Sequence, residues 1–240
     1  MRLPNMSSNF LLAPIAESAD YFLSSRDVKL TVLGGNGVGK TAMIVRFLTR
    51  RFIGDYEPNT GNLYSRLVHV DGEQLSLQIQ DTPGCAQAQE DFTQEGDLIS
   101  RCVQWADGFL LVYSITDYSS YQSIRPLYQH IRKMHPDIKC PVIIVANKGD
   151  LVHARQVQTE EGLQLAHDLG TFFLEISTSE NCQDVSDVFQ HLCKEVSKLQ
   201  NGGNGEKRRT SVISRPKSPN MQDLKRRFKQ ALSSKVKSSS

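Results

Sequence analysis

The chain has 240 residues, 39% of them hydrophobic and 22% charged, with a formal net charge of +2, enough for one globular domain whose core needs neither disulfides nor a metal. Its five cysteines, Cys85, Cys102, Cys140, Cys182 and Cys193, are odd in number and form no C-x-x-C pair, and its six histidines show no metal-ligand spacing; a disulfide framework and a zinc site are therefore not expected, and the thiols read as reduced, as in a cytosolic or nuclear protein. No segment reaches the roughly 20 apolar residues that cross a bilayer.

Residues 1–26 read as an N-terminal extension without fixed structure. Their apolar run, Phe10-Leu11-Leu12-Ala13, is broken at once by Pro14, too short for a signal peptide, and Arg2 excludes a myristoyl group. Val28–Leu33 is a short apolar strand that ends in a glycine-rich loop, and Ala42–Leu48 is a buried helix. Two strand-like runs, Leu63–Val70 and Leu75–Gln80, flank the turn signal Asp71-Gly72 and predict a hairpin. Phe109–Ile115 is a fully apolar strand, Ile124–Met134 a helix, and Val142–Ala146 a second buried strand introduced by Pro141. Thr159 resembles a helix N-cap, with Gly162–Leu169 following and Gly170 as the stop. Phe172–Ile176 is the last strand and Val185–Leu199 the last helix.

The resulting order, βαββαβαβαβα, predicts an α/β fold over residues 27–200: a doubly wound, mostly parallel six-stranded sheet with helices on both faces and one antiparallel edge strand. Ligands of such sheets bind beyond the carboxyl ends of the strands. The chemistry-bearing motifs all fall there.

Gly34-Gly35-Asn36-Gly37-Val38-Gly39-Lys40-Thr41 matches G-x-x-x-x-G-K-[ST], placed between a strand and a helix. Closely spaced backbone N–H groups must wrap a polyanion, and glycine permits that curvature. Lys40 is expected to reach the β- and γ-phosphates and the Thr41 hydroxyl to ligate Mg²⁺, with the helix N-terminus adding its positive field. Asn147-Lys148-Gly149-Asp150 follows the buried strand at 142–146. The Asp150 carboxylate can accept from the N1–H and exocyclic amine of guanine, a donor pair that adenine lacks. Asp81-Thr82-Pro83-Gly84 ends the strand at 75–80. Asp81 there can hold Mg²⁺ through water, and the Gly84 N–H can face the γ-phosphate.

Across about residues 27–199 the chain resembles the Ras superfamily, in its phosphate loop, Phe52, Tyr56-Glu57-Pro58, Asp81–Gly84, Asn147–Asp150 and Glu175-Ile176-Ser177. The segments 51–60 (RFIGDYEPNT) and 215–228 (RPKSPNMQDLKRRF) resemble in particular the atypical Ras-like family 11 branch. The resemblance implies a GTP- and GDP-binding protein with Mg²⁺. It places Phe52 against the nucleoside, Lys148 along the base, and Ser177 with Thr178 at the closure of the base pocket.

Several positions depart from the Ras pattern. The glutamine that orients the attacking water is replaced by Cys85, which has no amide. Asn36 stands at a loop position that is glycine in Ras, where a side chain crowds the γ-phosphate and an incoming arginine. Pro83 stiffens the next loop. Where Ras has its Mg²⁺-ligating threonine, Asn59 is found, followed by Thr60; either the Asn59 carbonyl ligates the metal or the backbone slips to present Thr60. Gly61 and Asn62 lack the acidic pair read by the usual Ras effectors, and Ser177-Thr178-Ser179 replaces Ser-Ala-Lys. The stretch between Gly84 and Gly108 is longer than in Ras, and no built-in arginine finger is identifiable. The expected activity is a GTPase with slow intrinsic hydrolysis, acting as a monomeric switch with effectors other than the usual ones. The alternative is a nucleotide-binding scaffold that recruits partners without meaningful hydrolysis.

Residues 201–240 form a basic, Ser-rich tail with eleven Lys/Arg against two acids, a charge of +9 that leaves −7 for the first 200 residues. Such a segregation suggests an acidic partner for the tail. Met221, Leu224, Phe228 and Leu232 recur at helical spacing, predicting a short amphipathic helix. No cysteine follows Cys193, so a prenyl anchor is not expected. Lys207-Arg208-Arg209 and the cluster at 225–229 (KRRFK) are of the kind read as nuclear-import or nucleic-acid patches. The expectation is nuclear residence, including the nucleolus, with RNA or chromatin as the anion; anionic membrane and a cytoplasmic location are the alternatives.

Overall fold

The computed structural model describes residues 26–53, 61–84, 94–136 and 140–202. The readings of the N-terminal extension, the segment at 54–60, Cys85 and the basic tail lie outside these residues.

The strands are β1 (Arg26–Gly34), β2 (Leu63–Val70), β3 (Glu73–Asp81), β4 (Gly108–Ser114), β5 (Val142–Asn147) and β6 (Phe172–Glu175). They form one sheet in the order β2-β3-β1-β4-β5-β6. β2 and β3 are antiparallel, and all other pairs are parallel. The six-stranded, mostly parallel sheet with one antiparallel edge strand is the architecture expected from the sequence. Asp71 (φ 52°) and Gly72 (φ 87°) close the hairpin with the left-handed pair that a two-residue connection needs.

Every residue of β4 and β5 is buried, because helices cover both faces of the central strands. Alternate side chains feed two apolar layers. Val28, Leu30 and Val32 meet Met43, Ile44 and Phe47 of α1 (Lys40–Thr49) and Val185, Phe189 and Leu192 of α6 (Cys182–Gly202). Leu33, Phe109, Leu111 and Tyr113 meet Val103 of α2 (Gln94–Trp105), Ile124 and Ile131 of α4 (Ile124–Met134) and Leu165 of α5 (Thr159–Leu169). The carboxyl ends of β1, β3, β4, β5 and β6 consequently open onto one rim.

Most boundaries differ from the sequence reading by a few residues. The helix expected before β4 is α2, a polar segment with apolar residues only at Leu98, Ile99, Cys102, Val103 and Trp105. A five-residue helix, α3 (Tyr118–Gln122), is additional; the Asp117 carboxylate caps it by accepting from the Ser119 and Ser120 N–H groups at 3.0 and 3.3 Å. Thr159 is not a cap. The N-cap of α5 is Gln158, whose N–H donates to the Glu161 carboxylate at 2.8 Å. The Thr159 hydroxyl instead donates to Glu175 at 2.8 Å.

Candidate nucleotide-binding site

The loop at 34–39 joins β1 to α1 with its sharpest turns at Gly37 (φ 67°) and Gly39 (φ 97°). At Gly39 an added Cβ would lie 2.4 Å from Asn147 Nδ2, so glycine is required both by conformation and by space. Gly34, Gly35 and Val38 are buried, whereas Asn36 and Gly37 face solvent. Lys40 is 7% exposed. Its ammonium turns back into the loop and donates to the Gly34 and Gly35 carbonyls at 3.1 and 2.8 Å. A cation held inside a ring of backbone groups is the arrangement a polyphosphate would complete.

Beside it the Thr41 hydroxyl donates to Asp81 Oδ2 at 2.5 Å. Asp81 is buried, and its other oxygen, Oδ1, has no hydrogen-bond partner among the described residues. Burial pushes its carboxyl above the usual range, and Thr41, Lys40 and the Thr82 backbone only partly oppose this. A buried carboxylate oxygen without a partner is costly; hydrated Mg²⁺ would satisfy it, so Thr41 and Asp81 fit as the metal's residues. Gly84 lies against the phosphate loop. A Cβ built on it would fall 1.8 Å from Asn36 Oδ1, which places the Asn36 amide directly over Gly84.

The rim at β5 and β6 supplies the second half. Asn147 is 2% exposed and joins three elements. Its Nδ2 donates to the Val38 carbonyl at 2.8 Å, and its Oδ1 accepts from the Thr178 N–H and hydroxyl at 3.1 and 2.8 Å. The Ser177 hydroxyl donates to Asp150 Oδ1 at 2.6 Å, and the Gly149 N–H donates to the Ile176 carbonyl at 3.0 Å. Lys148 adopts a left-handed conformation (φ 64°) between them. Phe52 follows α1 and is 42% exposed.

The structure thus brings Gly34–Thr41, Asp81, Gly84, Asn147, Asp150, Ser177 and Thr178 to one rim. Asn59, Thr60 and Cys85 lie outside the described residues. Two things were not read from the sequence: the bridging role of Asn147, and the pairing of Arg155 with Glu175, whose Nη2–Oε1 distance is 2.5 Å. Glu175 was noted within the motif at 175–177, but nothing local points to a partner 20 residues earlier.

A phosphate loop, a half-buried Thr41 bonded to a buried Asp81 in an arrangement that suits a metal, and an Asn-x-x-Asp loop on one rim of this sheet define a Ras-type G domain. The sequence comparisons agree: the Ras family model matches residues 29–198, and the chain belongs to the Ras family of small GTPases. It is similar over its full length to Ras-like protein family member 11A of Rattus norvegicus (73% identical over 240 residues, 100% of this chain and 99% of that protein) and of Homo sapiens (72%, the same coverage). It is also similar to Ras-like protein family member 11B of Xenopus laevis (58% over 214 residues, 89% of this chain and 86% of that protein). Membership implies binding of guanine nucleotide with Mg²⁺ and hydrolysis of GTP.

Proposed function

We propose that this protein is a nuclear, Ras-like switch that binds GTP and GDP with Mg²⁺ and hydrolyses GTP slowly. The observation that carries the nucleotide reading is the Asn147–Asp150 loop, tied on one side to the phosphate loop at Val38 and on the other to Ser177 and Thr178. Asp150 retains lone pairs to accept from the two guanine donors while Ser177 fixes its orientation. With nucleotide bound, Lys40 would exchange its carbonyl partners for the β- and γ-phosphates, and Thr41 and Asp81 would hold the metal. The metal, when bound, would supply positive charge to neutralise the phosphates.

Slow hydrolysis follows from two residues. Cys85 stands where an amide would orient the water. Asn36 lies over Gly84, where a γ-phosphate and an incoming arginine need room. The same Asn36 contact favours a second reading, a scaffold in which GTP holds a partner-binding shape without turnover. Single-turnover hydrolysis on the purified chain separates the two. A rate near 10⁻³ s⁻¹ or just below, on the order of an unassisted relative, supports the slow switch. No detectable turnover with GTP still bound supports the scaffold.

The nuclear assignment rests on the +9 tail. Its two basic clusters suit an RNA or chromatin anion, and such binding weakens steeply with salt. The absence of an acidic pair after Thr60 points to effectors other than those that usual Ras proteins bind, and the protein acts as a monomer.

A further inference from the structure

We infer that Arg155, Glu175 and Thr159 form a clamp behind the base pocket that sets how fast the bound nucleotide leaves. The inference rests on the reading that this pocket takes a guanine nucleotide. Asp150 and Ser177 belong to different loops, one after β5 and one after β6, so the pocket exists only while the two loops keep their spacing. On the pocket side the loops are tied by the Ser177–Asp150 hydrogen bond at 2.6 Å and by the Gly149 N–H donating to the Ile176 carbonyl at 3.0 Å, with Asn147–Thr178 deeper in. On the far side Arg155 and Glu175 meet in a two-pronged pair, Nη2–Oε1 at 2.5 Å and Nη1–Oε2 at 3.1 Å. Thr159 adds a third bond to Oε2 at 2.8 Å.

The positions of these residues give the pair its leverage. Glu175 ends β6, two residues before Ser177. Arg155 closes the 3-10 turn Val152–Ala154 that follows Asp150. No residue of that turn is buried, so apolar packing does little to hold it. Beyond the turn the chain is anchored by the buried Val157 side chain, by the Gln156 and Val157 N–H groups donating to the Ile115 carbonyl at 2.7 and 3.1 Å, and by Gln156 Oε1 accepting from the Tyr118 N–H at 3.1 Å; the turn itself is tied towards β6 by Arg155. The Arg155 and Glu175 side chains are 14% and 21% exposed, shielded enough for a charge-assisted, bidentate pair to act as a rigid link. Burial by itself raises the Glu175 carboxyl, but the bonds from Arg155 and Thr159 outweigh it and hold it below the usual range, so it stays ionised. These are positioning residues: they act on the base through the two loops.

The test is release of a fluorescent GDP analogue from the full-length chain, with Mg²⁺ and with EDTA. Arg155→Ala and Glu175→Gln are expected to raise the release rate about tenfold, by the same factor in both conditions, because the clamp acts on the base and not on the phosphates. Arg155→Lys, which keeps the charge but loses the fork, falls between. The exchanged pair Arg155→Glu with Glu175→Arg recovers most of the loss. Thermal melting of each variant reports whether it folds, and Thr159→Ala supplies a milder probe should Arg155→Ala not fold. Release at the wild-type rate from folded variants overturns the clamp, as does an acceleration confined to Mg²⁺. A wild-type chain that holds no guanine nucleotide overturns the underlying reading, and the clamp with it.

Discussion

Thr41 Oγ1 and Asp81 Oδ2, forty residues apart in the chain, meet at 2.5 Å where α1 begins and β3 ends. The contact exists because β1 and β3 are parallel neighbours, with Val32 level with Asp81, so the phosphate loop leaving β1 turns back over the end of β3. It leaves Asp81 Oδ1 buried and without a partner among the described residues, the position a hydrated cation would fill. Thr41→Ala is therefore expected to remove most of the Mg²⁺-dependent part of GTP affinity, and Lys40→Ala to weaken triphosphate binding nearly to loss. Titration with and without Mg²⁺ checks both. Unchanged affinity would show that the loop does not hold phosphate.

The contact of Asn36 with Gly84 bears on turnover. Cys85→Gln alone should raise the hydrolysis rate little, because the Asn36 amide still covers the glycine before it. Asn36→Gly with Cys85→Gln should raise it more than either change alone. Single-turnover rates for the four proteins decide. A wild-type rate of several per minute without an activator would contradict the account.

Glu175 gives the domain a pH dependence of known sign. Its folded-state carboxyl titrates below the ordinary value of 4.5, so its contribution to stability is present above that pH and is lost as pH falls through the folded value. Glu175→Gln should cost about 2 kcal/mol at pH 7, and the gap from wild type should narrow as pH drops below 4.5. Denaturant midpoints between pH 3 and 7 measure it. A gap that does not change over that range would sever the link between the pair and stability.

The sheet was legible in the sequence because β4 and β5 are continuous apolar runs, buried on both faces, that no amphipathic helix would produce. The phosphate loop and the Asn147–Asp150 loop were legible because each is a short spacing beside such a strand. α2 was anticipated only as a gap to be filled: its apolar residues sit among Gln, Glu, Asp and Arg, and its burial comes from α4 and β1. Thr159 has the chemistry of a cap, but its hydroxyl is taken by Glu175, a partner the chain brings close only after β6 is in place. The Asn147 bonds to Val38 and Thr178 span 109 and 31 positions, and no local pattern encodes contacts of that range.

The tail assignment is tested in cells. A fluorescent fusion of residues 201–240 should concentrate in the nucleus, and neutralising Lys207, Arg208, Arg209, Lys225, Arg226, Arg227 and Lys229 in the full chain should disperse it. An unchanged distribution of the neutralised protein, with no nuclear enrichment of the fusion, would remove the nuclear part of the proposal.

The central claim is that this rim reads guanine through Asp150, and competition binding addresses it most directly. Labelled GDP on the purified chain is displaced in turn by GDP, ADP and xanthosine diphosphate, for wild type and for Asp150→Asn. Wild type should prefer GDP over ADP by at least ~10³-fold, because a mismatched base leaves the Asp150 carboxylate without its donors. Asp150→Asn should shift preference towards the xanthine nucleotide. Comparable displacement of wild type by ADP and GDP would contradict the account.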